Sequence, residues 1–341
     1  MTNVENLEAT ARAIVAEGKG ILAVDETNPT CTQRFAEFGI ESTEDSRRAY
    51  REMLFTAPGV GDYISGAIMF DETIRQSTAD GRPFVDLLNA LGVMPGIKVD
   101  TGPRPLAKAP GETVTEGLDR LRERLDEYRE MGARFTKWRA VIRIGPGTPS
   151  RYCIEANAHA LGRYAALAQE AGLVPIVEPE VLMNGEHDIY RCREVTEEVL
   201  RSVFGQLTSQ RCLLEGMVLK PNMVTSGSEG PVQADTRQKA ELTLKTLRRC
   251  VPAAVPGIAF LSGGQTGEQS CKNLNAMTLS GPLPWELTFS FGRALQYPAL
   301  QIWGGEPENV PAAQSAFLHR ARMSSLARSG AYSPDVERVL A

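Results

Sequence analysis

Histidine is scarce in this sequence. Only His159, His187 and His319 occur among 341 residues, and none lies in an HExxH or HxH pattern. Such spacings are what bring two imidazoles onto one metal, so their absence argues against a histidine-built zinc site. Cysteine is thinly spread as well: Cys31, Cys153, Cys192, Cys212, Cys250 and Cys271 form no CxxC pair. Isolated cysteines in a long chain read as reduced, mostly buried thiols of a cytoplasmic protein, not as a disulfide framework. Long apolar runs are missing too. The opening MTNVENLEATARAIVAEGKG has no basic segment followed by an apolar stretch, so neither a secretory signal nor a membrane-spanning helix is expected. A net charge of −5 and a pI of about 5.5 give no hint of nucleic acid or an anionic membrane as partner. Any anion site must be local.

What is present is a globular composition, 42% hydrophobic and 23% charged, laid out as a regular alternation. Strand-like segments are GILAVDE (20–26), ISGAIMF (64–70), GIKVD (96–100), ARFTKWRAVI (133–142), LVPIVEPEV (173–181), GMVLKPNM (216–223), GIAFLSG (257–263) and WELTFSF (285–291). Between them lie helix-like segments. Thr43 caps SRRAYREMLFTA, and Thr115 introduces GLDRLRERLDEYREMG with Leu118, Leu121, Leu125 and Tyr128 on one face before a glycine. RYCIEANAHALGRYAALAQEAG and TRQKAELTLKTLRRC follow the same logic. Eight βα units predict an α/β fold, a TIM (β/α)8 barrel formed by residues 1–341 as a single domain, with an additional N-terminal helix and C-terminal helices. The rival is a doubly wound open sheet, but the first strand turns through DETNPT and not GxGxxG.

Charged residues recur at strand ends, where a barrel carries its chemistry. Asp25 ends the first strand, Lys98 is in the third, Lys137 and Arg139 are in the fourth, Glu178 and Glu180 in the fifth, and Lys220 in the sixth. Residues two apart share a face of a strand, so each of the two pairs can face the barrel axis. Lys220 interrupts an apolar run, and a lysine there is either solvated at a strand tip or an amine poised to attack a carbonyl. A nearby cation, with Lys137 the candidate, and desolvation would lower its pKa, while carboxylates would oppose that shift. Glu178 or Glu180 would serve as acid and base for an imine. The end of the seventh strand carries Ser262, Gly263 and Gly264, and the end of the eighth Ser290, Gly292 and Arg293. Barrels commonly bind phosphate there, where glycines expose backbone N–H groups and an arginine adds charge.

The motifs GILAVDET, GIKVD, KWRAVIRIG, VPIVEPEVL, LKPNMV, FLSGGQ, NLNAM, PWELTFSFGRALQ and WGGEPENV, collinear from about residue 7 to 332, resemble class I fructose-1,6-bisphosphate aldolase, the metal-free Schiff-base type. The resemblance implies reversible cleavage of fructose 1,6-bisphosphate to dihydroxyacetone phosphate and glyceraldehyde 3-phosphate, in glycolysis or gluconeogenesis. It makes Lys220 the imine-forming residue, with no cofactor beyond that covalent imine. Glu178 becomes its acid/base partner with Glu180 beside it, and Asp25 acts near the bond cleaved. Lys137 and Arg139 match the family's KWR pair. One phosphate falls to Ser262, Gly263, Gly264, Ser290 and Arg293, the other to Lys98 and the segment after Asp25, with Arg34 at the family's basic position. Thr27 and Thr30 stand where serines are usual, and Pro29 where glycine is common, which is expected to stiffen that loop. The resemblance also implies a homo-oligomer without a membrane or nucleic-acid partner. Many animal relatives end in a tyrosine that assists proton exchange at C3. RSGAYSPDVERVLA carries no such terminal tyrosine, Tyr332 is not a substitute, and another group or water is expected to protonate the enamine. A transaldolase-like Schiff-base barrel and a non-catalytic binding protein are the competing readings.

Overall fold

The computed structural model describes residues 2–339. Eight parallel strands close into a barrel: β1 (Gly20–Val24), β2 (Ile64–Met69), β3 (Met94–Lys98), β4 (Phe135–Ile142), β5 (Val174–Val181), β6 (Val218–Leu219), β7 (Gly257–Phe260) and β8 (Glu286–Phe291). Each strand neighbours its sequence neighbours, and Ile21 opposite Ser290 and Leu22 opposite Phe291 complete the ring. All eight expected strands exist. The sixth is the most reduced, because Pro221 follows Lys220 and cannot donate to a ladder.

Two apolar layers hold this arrangement. Inside the barrel, Ile21, Ala23, Ile68, Phe135, Ile176 and Val218 interdigitate. The ring of Phe135 lies so close to β3 that a Cβ on Gly96 would fall 2.2 Å from it, so only glycine fits. The predicted N-terminal helix, Asn3–Ile14, plugs the end of the barrel opposite the strand C-termini with Leu7, Ala11 and Ile14. Outside, the connecting helices cover the strands through a second, larger cluster. Helix Glu44–Phe55 begins at Thr43 with a capping box, as its sequence predicts. Helices Arg293–Trp303, Val310–Arg328 and Pro334–Val339 end the chain. All six cysteines are free, four of them buried. Among the described residues no helix is long and apolar enough to cross a membrane.

Two local expectations are corrected. Thr115 caps no helix. It lies in an antiparallel hairpin, Gly102–Pro105 with Thr113–Glu116, and the helix runs from Leu121 to Glu130, leaving Leu118 in the connection. Asn157 wins the competition for this backbone: its Oδ1 accepts from Thr115 N at 3.2 Å and its Nδ2 donates to Thr113 O at 2.8 Å. The segment after Asp25 is likewise not a loop but helix Asn28–Ala36, in whose first turn Pro29 is tolerated because that turn needs no N–H donor.

Candidate active site

The strand register builds the site. Lys98 pairs with Lys137 across β3 and β4, and Arg139 with Glu178 across β4 and β5, so charged side chains from three strands occupy adjoining layers. They open into a cavity of about 710 Å³ at the C-terminal ends of the strands. Every site residue expected from the sequence lines it: Asp25, Thr27, Thr30 and Arg34 after β1, Lys98 on β3, Lys137 and Arg139 on β4, Glu178 and Glu180 on β5, Lys220 after β6, Ser262, Gly263 and Gly264 after β7, and Ser290, Gly292 and Arg293 on and after β8. None of the three histidines does. Among the described residues no group of three or more His, Cys, Asp or Glu side chains is placed to hold a metal ion.

Lys220 is not a solvated strand tip. Its backbone N–H still donates to Val177 O at 2.8 Å, and the residue is only 4% exposed. Its Nζ lies 3.1 Å from Glu178 Oε1. The other oxygen, Oε2, is 3.2 Å from Lys137 Nζ, which in turn sits 2.5 Å from Asp25 Oδ2. The four groups thus form one chain, Lys220–Glu178–Lys137–Asp25. Glu178 Oε2 is buried and makes its ion pair with Lys137 without a well-aligned hydrogen bond. The expected cation, Lys137, therefore reaches Lys220 only with Glu178 between them.

These contacts fix the charge states. Burial alone would raise the Glu178 carboxyl, but Lys137 and then Lys220 outweigh it and hold it below its ordinary value. Asp25 is likewise opposed by burial and yet held well below the carboxylate range, chiefly by Lys137 and then by Lys220. For Lys137, burial works against the ammonium, and Asp25 and Glu178 reverse it, raising the amine well above the usual lysine range. Arg139, only partly buried, meets Glu180, whose charge raises the guanidinium's pKa against the desolvation that opposes it.

At the β7–β8 side, Gly263 and Gly264 adopt φ of +57° and +90°, a left-handed turn that side chains rarely accept. A Cβ on Gly264 would fall 3.3 Å from Arg293 Nη2, so the guanidinium lies directly over the turn. Ser290 is fully buried and its Oγ has no partner. An unpaired hydroxyl, a glycine turn and a guanidinium suit an anion.

Sequence reasoning missed three charged lining residues. Asp100 binds Lys98, its Oδ1 and backbone O each 2.7 Å from Nζ. The period-two rule that pairs Lys137 with Arg139 would have found it, since Asp100 is two residues beyond Lys98. Glu26 is buried between Arg34 and Arg51, with Arg51 Nη2 3.3 Å from Oε2. Arg104 enters from the hairpin. No pattern in the sequence marks either of these. Tyr332 lies outside the cavity, its hydroxyl donating to Glu337.

Comparison with known proteins gives a consistent result. A family profile described as fructose-bisphosphate aldolase class-I matches residues 6–341. A probable fructose-bisphosphate aldolase class 1 of Xanthomonas axonopodis pv. citri is 57% identical, over 96% of this chain and 98% of that one. Fructose-bisphosphate aldolase 6, cytosolic, of Arabidopsis thaliana is 53% identical over 98% of this chain and 93% of its own length. A fructose-bisphosphate aldolase of Plasmodium falciparum, solved in complex with TRAP and a small-molecule inhibitor, superposes with a TM-score of 0.96. It is 47% identical and covers 97% of this chain and 96% of its own.

Proposed function

The chain belongs to the class-I fructose-bisphosphate aldolase family, and we propose that Lys220 is the amine through which it works. It is an aldehyde-lyase that reversibly cleaves fructose 1,6-bisphosphate to dihydroxyacetone phosphate and glyceraldehyde 3-phosphate, a reaction of glycolysis and gluconeogenesis. The observation that carries the residue assignment is the buried chain from Lys220 through Glu178 and Lys137 to Asp25.

Lys220 passes a proton to Glu178 and its free amine adds to the C2 ketone. Glu178 returns that proton to the C2 hydroxyl, which leaves as water, and a protonated imine remains. This is an electron sink. Asp25, or Glu178 after rearrangement, removes the C4 hydroxyl proton, the C3–C4 pair flows to the imine nitrogen, and glyceraldehyde 3-phosphate departs. Protonation of the enamine at C3 and hydrolysis release dihydroxyacetone phosphate and regenerate the amine. Lys137 keeps both carboxylates ionised for these transfers, and Glu180 holds Arg139 at the cavity wall. Ser262, Gly263, Gly264, Ser290, Gly292 and Arg293 grip one phosphate. Thr27, Thr30, Arg34 and Lys98 face the other, and holding both ends keeps the reacting carbons in register.

Borohydride with dihydroxyacetone phosphate is expected to trap one ligand per chain on Lys220. In Lys220→Met, trapping disappears and turnover falls roughly a thousandfold or more. Trapping that survives the substitution would refute the assignment. Activity is expected to persist in EDTA, and a loss restored by zinc would refute metal-free catalysis. The chain is further taken to act as a single domain, assembled as a homo-oligomer in the cytoplasm. A cytosolic relative and unpaired cysteines support the compartment.

A further inference from the structure

Seven cationic side chains and five carboxylates line the cavity. Five of the cations are already paired: Arg34 with Glu26, Lys98 with Asp100, Arg139 with Glu180, and Lys137 and Lys220 with Glu178 between them. Among the described residues, the two without an ion pair or hydrogen bond are Arg293 and Arg104. Arg293, at the start of the helix after β8, lays its guanidinium over the glycine turn that follows β7. Arg104 comes from the opposite wall, on the hairpin that follows β3. The two cations read from the sequence for the second phosphate, Arg34 after β1 and Lys98 on β3, both hold carboxylates.

We infer that Arg104 determines specificity for the second phosphate of the bisphosphate; the inference rests on the aldolase reading. An anion arriving at Arg34 or Lys98 meets a cation whose charge is largely cancelled by a carboxylate at contact distance. At Arg104 it meets an uncompensated guanidinium. The substrate's own dimensions separate the two grips. One phosphate is on C1, next to the C2 that Lys220 attacks, and falls to the adjacent β7–β8 turn. The other is on C6, four carbons beyond C2, and so lies toward the far wall.

The base of Arg104 is rigid. Pro103 and Pro105 flank it and fix the backbone on both sides. Gly102 N donates to Asp100 Oδ1 at 3.1 Å, and Thr115 Oγ1 donates to Arg139 O at 2.8 Å, while Asn157 holds the second strand of the hairpin. The guanidinium itself is exposed toward the cavity mouth, where it can bind a phosphate without being dragged from a buried pair.

The test compares fructose 1,6-bisphosphate with fructose 1-phosphate, which lacks only the C6 phosphate. Arg104→Met is expected to lower kcat/KM for the bisphosphate about tenfold, mostly through KM, and for the monophosphate less than about twofold. Arg104→Lys should recover part of the loss, because it restores the charge without the bidentate fork. An equal fall with both sugars, or no fall with either, overturns the inference while leaving the aldolase reading in place. Wild-type protein that cleaves neither sugar and traps nothing on Lys220 overturns the reading itself.

Discussion

At the scale of single residues, Lys137 is the group on which the site's charge balance turns. It is 3% exposed and lies within ion-pair distance of two carboxylates. Lys137→Met would leave Asp25 and Glu178 buried together without the cation that stabilises both. The expected cost is about 3–5 kcal/mol of stability, read from urea unfolding, and a fall in kcat of about 10²–10³. Its acid limb should also move to higher pH, because Lys137 is the largest influence holding both carboxyls down. An unchanged limb would show that Lys137 does not set those ionisations. Lys137, Glu178 and Lys220 were legible from strand periodicity, since a charge on an alternating apolar face has few structural uses. Glu26 and Arg104 were not, because nothing local distinguishes them from surface charges.

At the scale of elements, the hairpin Gly102–Pro105 with Thr113–Glu116 is the part the sequence hid. Pro103 and Pro105 argue against a strand by propensity, and Thr115 followed by leucines at helical spacing imitates a helix start. Tertiary hydrogen bonds override both signals. Asn157→Ala should remove the hairpin's main anchor and cost about 1–3 kcal/mol, as two buried backbone groups lose their partner. With Arg104 held less firmly, preference for the bisphosphate should drop in the same direction as in Arg104→Met, while borohydride trapping on Lys220 persists. Loss of stability with an unaltered sugar preference would separate the hairpin from substrate choice. Where capping, spacing and burial agreed, as in helix Glu44–Phe55 behind Thr43, local sequence was sufficient.

At the scale of the molecule, ring closure ties the first strand of the barrel to the last. β1 pairs with β8 from the other end of the chain, and the N-terminal helix seals the interior behind it. Unfolding by urea should therefore show coincident transitions by tryptophan fluorescence and far-UV circular dichroism; two separated transitions would argue for independent units. Stability should also depend on acid in a particular sense. Asp25 and Glu178 have folded pKa values below their unfolded ones. Their contribution is thus complete above the ordinary carboxylate range near pH 4 and is lost as pH falls through the lower, folded values. A urea midpoint unchanged between pH 7 and pH 3 would contradict this.

The sequence by itself determined the barrel, its eight strands and the convergence of a lysine with two acids on one mouth. Those features follow from periodicities of two and 3.6 residues, which act over a few neighbours and are written along the chain. Only the tertiary structure decided which charges cancel and which stay free. That balance depends on side chains distant in sequence, such as Asp25 against Lys137 and Glu26 against Arg51, and ion pairing is set by separations in space that no local pattern encodes.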